Sequence, residues 1–77
     1  MKFKRVKYQS EQIGEYAVYE YYEESEDDLM DGMISKIHSS RWMITDFGGI
    51  GAYYFYKKTL KEAKAFVVDL YDDKMVA

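Results

Sequence analysis

At 77 residues, with a net charge of −3 and neither cysteine nor proline, the chain is the size of one small domain, and such a domain buries only about 60% of its unfolded surface, so self-association would add to a modest stability. The lack of Cys excludes a disulfide framework and thiolate metal sites. No apolar run approaches the roughly 20 residues of a membrane span, and the basic start MKFKRVK is not followed by the apolar core of a secretory signal, so a soluble cytoplasmic protein is expected.

Residues 2–9 read as a first strand in which Lys2, Lys4, Arg5 and Lys7 surround Phe3, Val6 and Tyr8. After a polar link, residues 15–23 (EYAVYEYYE) hold no glycine or proline and read as a second strand paired with the first. Its two faces, Tyr16, Val18, Glu20, Tyr22 and Ala17, Tyr19, Tyr21, are both aromatic, so some of these tyrosines are expected to meet solvent or a partner. Residues 27–38 read two ways. Ser25 followed by Glu26, Asp27 and Asp28 suits a helix start, and Leu29, Met30, Met33, Ile34 and Ile37 repeat at helical spacing, which favours a short helix near 26–38. Against it, Asp31-Gly32 is a hairpin signal, and Gly32 costs a helix about 1 kcal/mol, so residues 33–38 also suit a short strand.

The stretch 41–71 organises the rest. Residues 41–47 alternate Trp42 and Ile44 with Met43, Thr45 and Phe47 as a strand does. Gly48, Gly49 and Gly51 supply the freedom for a reversal, and residues 52–57 resume as an aromatic strand. Thr59 and Glu62 form a capping box that opens a helix over 59–72, whose buried face is Leu60, Ala63, Val67, Leu70 and Tyr71, flanked by Phe66. Leu60, Val67 and Leu70 are the expected core. The predicted fold class is α+β: an antiparallel sheet of four or five strands, with the C-terminal helix packed on one face.

Charge is segregated along the chain. Residues 1–7 carry four basic side chains and no acidic ones, whereas residues 8–35 carry nine acidic and no basic ones. Such a block repels itself and steers a basic partner, although a charge run is also an ordinary solvated loop. The aromatic content of 18%, with nine Tyr, points to contact surface, because Tyr offers area and a polar tip at low rotamer cost. Together these choose partner-binding candidates: Glu20, Glu23, Glu24, Glu26, Asp27, Asp28 and Asp31 for attraction, with Tyr19, Tyr21 and Tyr22 as anchors. The partner they imply is a protein with a basic, nucleic-acid-binding surface, for which the carboxylates stand in as phosphates.

Other motifs carry less. Asp46-Phe47-Gly48 spells the metal-binding tripeptide of protein kinases without the length or catalytic loop of that fold. Gly48-Gly49-Ile50-Gly51 leads into a strand and lacks the lysine of a phosphate loop. In a calcium loop beginning at Asp27, Leu29 would occupy a ligand position and His38 would stand where a bidentate glutamate belongs. A lone His38 makes no zinc site. No nucleophile has an evident base partner, so no enzyme activity, metal or cofactor is expected. Two rival readings remain: a nucleic-acid-binding module using Lys2, Lys4, Arg5, Lys7, Arg41, Lys57, Lys58, Lys61 and Lys64, and a homodimer formed through Tyr-rich strands.

The Trp-bearing strand, the glycine turn and K-T-L-K-E-A-K-A-F, residues 41–66, resemble small ββα proteins encoded by bacteriophages and prophages. The resemblance covers about a third of the chain. It implies a protein that binds and blocks a host factor, including CRISPR and other defence machinery, and it carries over no catalytic residue. Any similarity to DNA-mimicking anti-CRISPR proteins rests on the acidic character of the first half.

Overall fold

The computed structural model describes residues 1–12, 14–23, 29–48 and 51–76, with side chains as far as residue 72 in the last segment. Five strands, β1 (Lys2–Ser10), β2 (Gly14–Tyr22), β3 (Gly32–His38), β4 (Arg41–Asp46) and β5 (Tyr53–Lys57), are followed by one helix, α1 (Leu60–Val76). The strands form an antiparallel meander in chain order, β1-β2-β3-β4-β5, and the fold is the α+β class expected.

Strand parity divides the sheet into two unlike faces. The register aligns Phe3, Tyr21, Gly32, Asp46 and Tyr53 in one row, and Arg5, Tyr19, Ile34, Ile44 and Phe55 in the next. Helix α1 covers these rows. Tyr21, Ile34 and Ile44 are fully buried against Ala63 and Val67, with Tyr71 closing the cluster. Burying a large apolar side chain here contributes roughly 1.5–3 kcal/mol. Of the three expected core residues, Val67 is fully buried, while Leu60 and Leu70 pack at its margin.

The helix begins as its sequence dictates. The Glu62 amide donates to Thr59 Oγ1 at 3.1 Å, and the first turn closes from the Ala63 amide to the Thr59 carbonyl. The Glu62 carboxylate reaches one residue beyond the expected Thr59 amide and accepts from the Lys58 amide at 3.3 Å. The β1–β2 and β4–β5 reversals use glycines with positive φ, Gly14 at 78° and Gly51 at 103°. The β3–β4 turn has no positive-φ residue, and an irregularity between Lys36 and His38 absorbs the mismatch instead.

The expected helix near 26–38 is corrected: Gly32–His38 is a strand, and residues 24–28 lie outside those described. Tertiary pairing overrides the helical spacing. Ile34 is buried between Tyr19 on β2 and Ile44 on β4, whereas Leu29 is 93% exposed and takes no part in a helical apolar face. Gly32 fits only because it has no side chain. A Cβ there would collide with the Tyr21 hydroxyl and ring and with the Thr45 carbonyl.

Candidate functional site

The strongest polar arrangement in the fold is internal. Asp46, 2% exposed, accepts at Oδ2 from the Tyr21 hydroxyl at 2.7 Å and from the Tyr71 hydroxyl at 2.8 Å, and at Oδ1 from the Gly48 amide at 2.8 Å. Strand β4, strand β2 and helix α1 are thus tied at one carboxylate. The Asp46 to Gly48 bond is an Asx turn that ends β4, which gives the Asp-Phe-Gly tripeptide a structural role. Burial, followed by the bond to Asp46, pushes both phenols well above the ordinary value near 10.

Residues 19–22, expected to interleave on one surface, alternate between the two faces of the sheet. Tyr21 is in the core with no exposed surface. Tyr19 lies half-buried on the helix side, its ring 6.2 Å from Trp42 with Lys64 Nζ 4.9 Å from its centre. Tyr22, 6% exposed, and Glu20 point to the other face. Glu20 is held there, accepting from Tyr8 at 2.5 Å and Tyr22 at 2.6 Å. Those bonds, Tyr22 first and then Tyr8, keep its carboxyl below the usual carboxylate range, with Lys4 adding to them against partial burial. The same Glu20 bond pushes the Tyr8 phenol up.

The Glu23 backbone and the Asp31 side chain meet. Asp31 Oδ2 accepts from the Glu23 amide at 2.6 Å, the Asp31 amide donates to the Tyr21 carbonyl, and the Phe47 amide donates to the Asp31 carbonyl. These bonds fix a neck where the chain leaves the sheet after β2 and returns for β3. Neither side chain forms an ion pair among the described residues. The Tyr71 hydroxyl on Asp46, the Phe47 amide on the Asp31 carbonyl and the pairing of Gly32 with Asp46 put Asp31, Asp46 and the last turns of α1 at one end of the sheet, where Asp31 and Glu23 add to the rise of the Tyr71 phenol pKa. Glu24, Glu26, Asp27 and Asp28, which complete the predicted set, lie outside the described residues.

The sheet face opposite α1 is a surface that sequence reasoning left undivided. Tyr8 and Tyr16 stack there with ring centres 5.8 Å apart, and the Arg41 guanidinium sits 4.4 Å from the centre of Tyr56. Tyr54 and Tyr56 on β5 are about half exposed, at 57% and 47%. Alternation within residues 53–57 was the available signal, because it puts both tyrosines opposite Phe55.

Among the described residues no group of His, Asp and Glu is placed to hold a metal, and no helix is long and apolar enough to cross a membrane. The fold and its surfaces define a small α+β protein, a five-stranded antiparallel meander under one C-terminal helix. No protein-family model matches the chain, and neither a curated protein nor a solved structure matches it.

Proposed function

We propose that the protein acts by contact, its acidic end occluding a basic, nucleic-acid-binding surface of a partner protein. The observation that carries this reading is the neck. At one end of the sheet the Glu23 backbone amide donates to Asp31 Oδ2 at 2.6 Å, which closes the two ends of a segment with four further carboxylates, and neither Glu23 nor Asp31 has a basic side-chain partner among the described residues. Acidic residues confined to one stretch of chain, without cations among them, steer a cationic surface toward that stretch. The contact residues are then Glu23 and Asp31 with Glu24, Glu26, Asp27 and Asp28, while Tyr19, Tyr21 and Tyr22 serve the scaffold. In keeping with the likeness to phage-encoded ββα proteins, a nucleic-acid-binding host defence factor is the partner class to test first. Titration against a lysine-rich DNA-binding protein across a salt series tests the electrostatic basis: affinity falls steeply with salt, and a salt-independent affinity removes it.

A second reading is favoured by the uncovered face, where Tyr16, Tyr54, Tyr56 and Arg41 resemble the aromatic and cationic elements on which single-stranded bases stack. Fluorescence anisotropy with single-stranded DNA and RNA tests it, and no binding at low salt excludes it.

A further inference from the structure

The two free edges of the sheet differ in character. Among the described residues β1 pairs only with β2 and β5 only with β4, so both strands present an unpaired row of backbone groups. The β1 edge carries Lys2, Lys4, Arg5 and Lys7, the kind of charge that keeps an edge from pairing with itself. The β5 edge, YYFYK, carries no charge before Lys57, and its Tyr53, Tyr54 and Tyr56 are 53%, 57% and 47% exposed. An aromatic, uncharged edge invites another strand.

We propose that β5 is the interface of a symmetric dimer, in which two copies pair antiparallel along Tyr53–Lys57. The register follows from the strand itself. Only with Phe55 opposite Phe55 do all five residues pair, which sets Tyr54 against Tyr56 of the second copy on the uncovered face and Tyr53 against Lys57 on the helix side. Each of those pairs joins aromatic to aromatic or aromatic to cation, with no like charges opposed. Charge complementarity supports the same occupant. Beside the edge, between β5 and α1, lies an open cleft of about 390 Å³ lined by Lys57, Glu62, Ala65, Phe66 and Asp69. Because α1 runs antiparallel to β5, this register turns Lys57 of one copy toward the Asp69 side of the other's cleft. By contrast, β1 on β1 would bring cations together, and β1 on β5 would leave an edge open at each end and propagate.

Two single-cysteine variants test the register, and the chain's lack of cysteine keeps the result clean. Tyr54→Cys and Tyr56→Cys proteins, each oxidised alone and then as an equal mixture, are resolved on a non-reducing gel. The proposal expects a cross-linked dimer in the mixture well above either protein alone, because residues 54 and 56 face each other across the axis at a separation a disulfide spans. Light scattering on the wild type should give a dimer mass, and the Tyr54→Lys/Tyr56→Lys double variant, which opposes two lysines in each of those pairs, should be monomeric at the same concentration with an unchanged far-ultraviolet spectrum. Lys57→Asp should weaken the dimer, and adding Asp69→Lys should restore it. A wild type that is monomeric at every concentration, or a mixture that cross-links no better than its components, overturns the proposal. So does a dimer that survives the Tyr54→Lys/Tyr56→Lys change, since it must be held elsewhere.

Discussion

Replacing Asp46 by alanine should destabilise the fold severely, and the structure sets the size of the effect. The carboxylate accepts hydrogen bonds from the buried hydroxyls of Tyr21 and Tyr71 and from the Gly48 amide. Removing it takes that acceptor from both phenols, at about 1–3 kcal/mol for each buried donor, while the half-buried Gly48 amide can turn to water. The Tyr21 hydroxyl keeps only a long 3.4 Å contact with the Thr45 carbonyl. A loss of about 4 kcal/mol follows, against a total of about 4–12 kcal/mol for a domain of this length. At about 4–8 °C per kcal/mol, the melting temperature should fall by about 16–32 °C. Urea unfolding followed by the fluorescence of Trp42, the single tryptophan, measures this directly. The diagnostic comparison is Tyr21→Phe with Tyr71→Phe, made in the Asp46→Ala background. If the cost comes from hydroxyls without their acceptor, removing those hydroxyls recovers part of the loss. An Asp46→Ala protein within about 1 kcal/mol of wild type, or a triple variant less stable than the single, refutes the reasoning.

Three further outcomes follow from the same structure. The folded pKa values of Tyr21 and Tyr71 lie above the unfolded value near 10, so their stabilisation is fully present below that pH and is lost as pH rises beyond it, because the unfolded chain releases those protons first. Each should add a slope of about 1.4 kcal/mol per pH unit to alkaline unfolding, and urea midpoints measured above pH 10 should decline less steeply in the variant carrying both Tyr→Phe changes. Gly32→Ala drives a methyl into a backbone carbonyl as well as a ring and should cost about 3 kcal/mol by urea unfolding; a neutral result would mean that the Tyr21 to Gly32 row is not packed as described. Thr59→Ala removes the cap on the Glu62 amide and should cost about 1 kcal/mol, lowering the circular-dichroism melting point by about 4–8 °C.

What the sequence discloses and what it conceals divide along physical lines. The Thr59 cap, the reversal at Gly51 and the amphipathic face of α1 are local, depending on neighbours within a few positions, and they were legible, although Glu62 bonds the Lys58 amide in place of that of Thr59 and Leu60 and Leu70 are only partly buried. The helical reading of residues 26–38 arose because Met30, Met33, Ile34 and Ile37 coincide with a 3.6-residue repeat, whereas the alternative strand over 33–38, signalled by Asp31-Gly32, is what forms, with Ile34 buried through partners on two other strands. The two faces of β2 were illegible because both are aromatic; only the strands on either side decide that Tyr21 goes inward and Tyr22 outward. The Asp46 network spans 25 residues in each direction, to Tyr21 and to Tyr71, and no spacing rule announces it. For the candidate site, parity separated tyrosines that the sequence placed side by side, whereas the bond from the Glu23 amide to the Asp31 carboxylate closes a neck between residues eight positions apart.

The proposed contact at the acidic end is tested most directly by affinity capture from a bacterial lysate. Wild type is compared with a variant in which Glu23, Glu24, Glu26, Asp27 and Asp28 become serine, and the captured material is then challenged with duplex DNA. The account predicts a basic partner that is bound by the wild type, released by DNA and lost by the variant. A partner retained by the folded variant, or one that holds DNA and this protein at the same time, would contradict it.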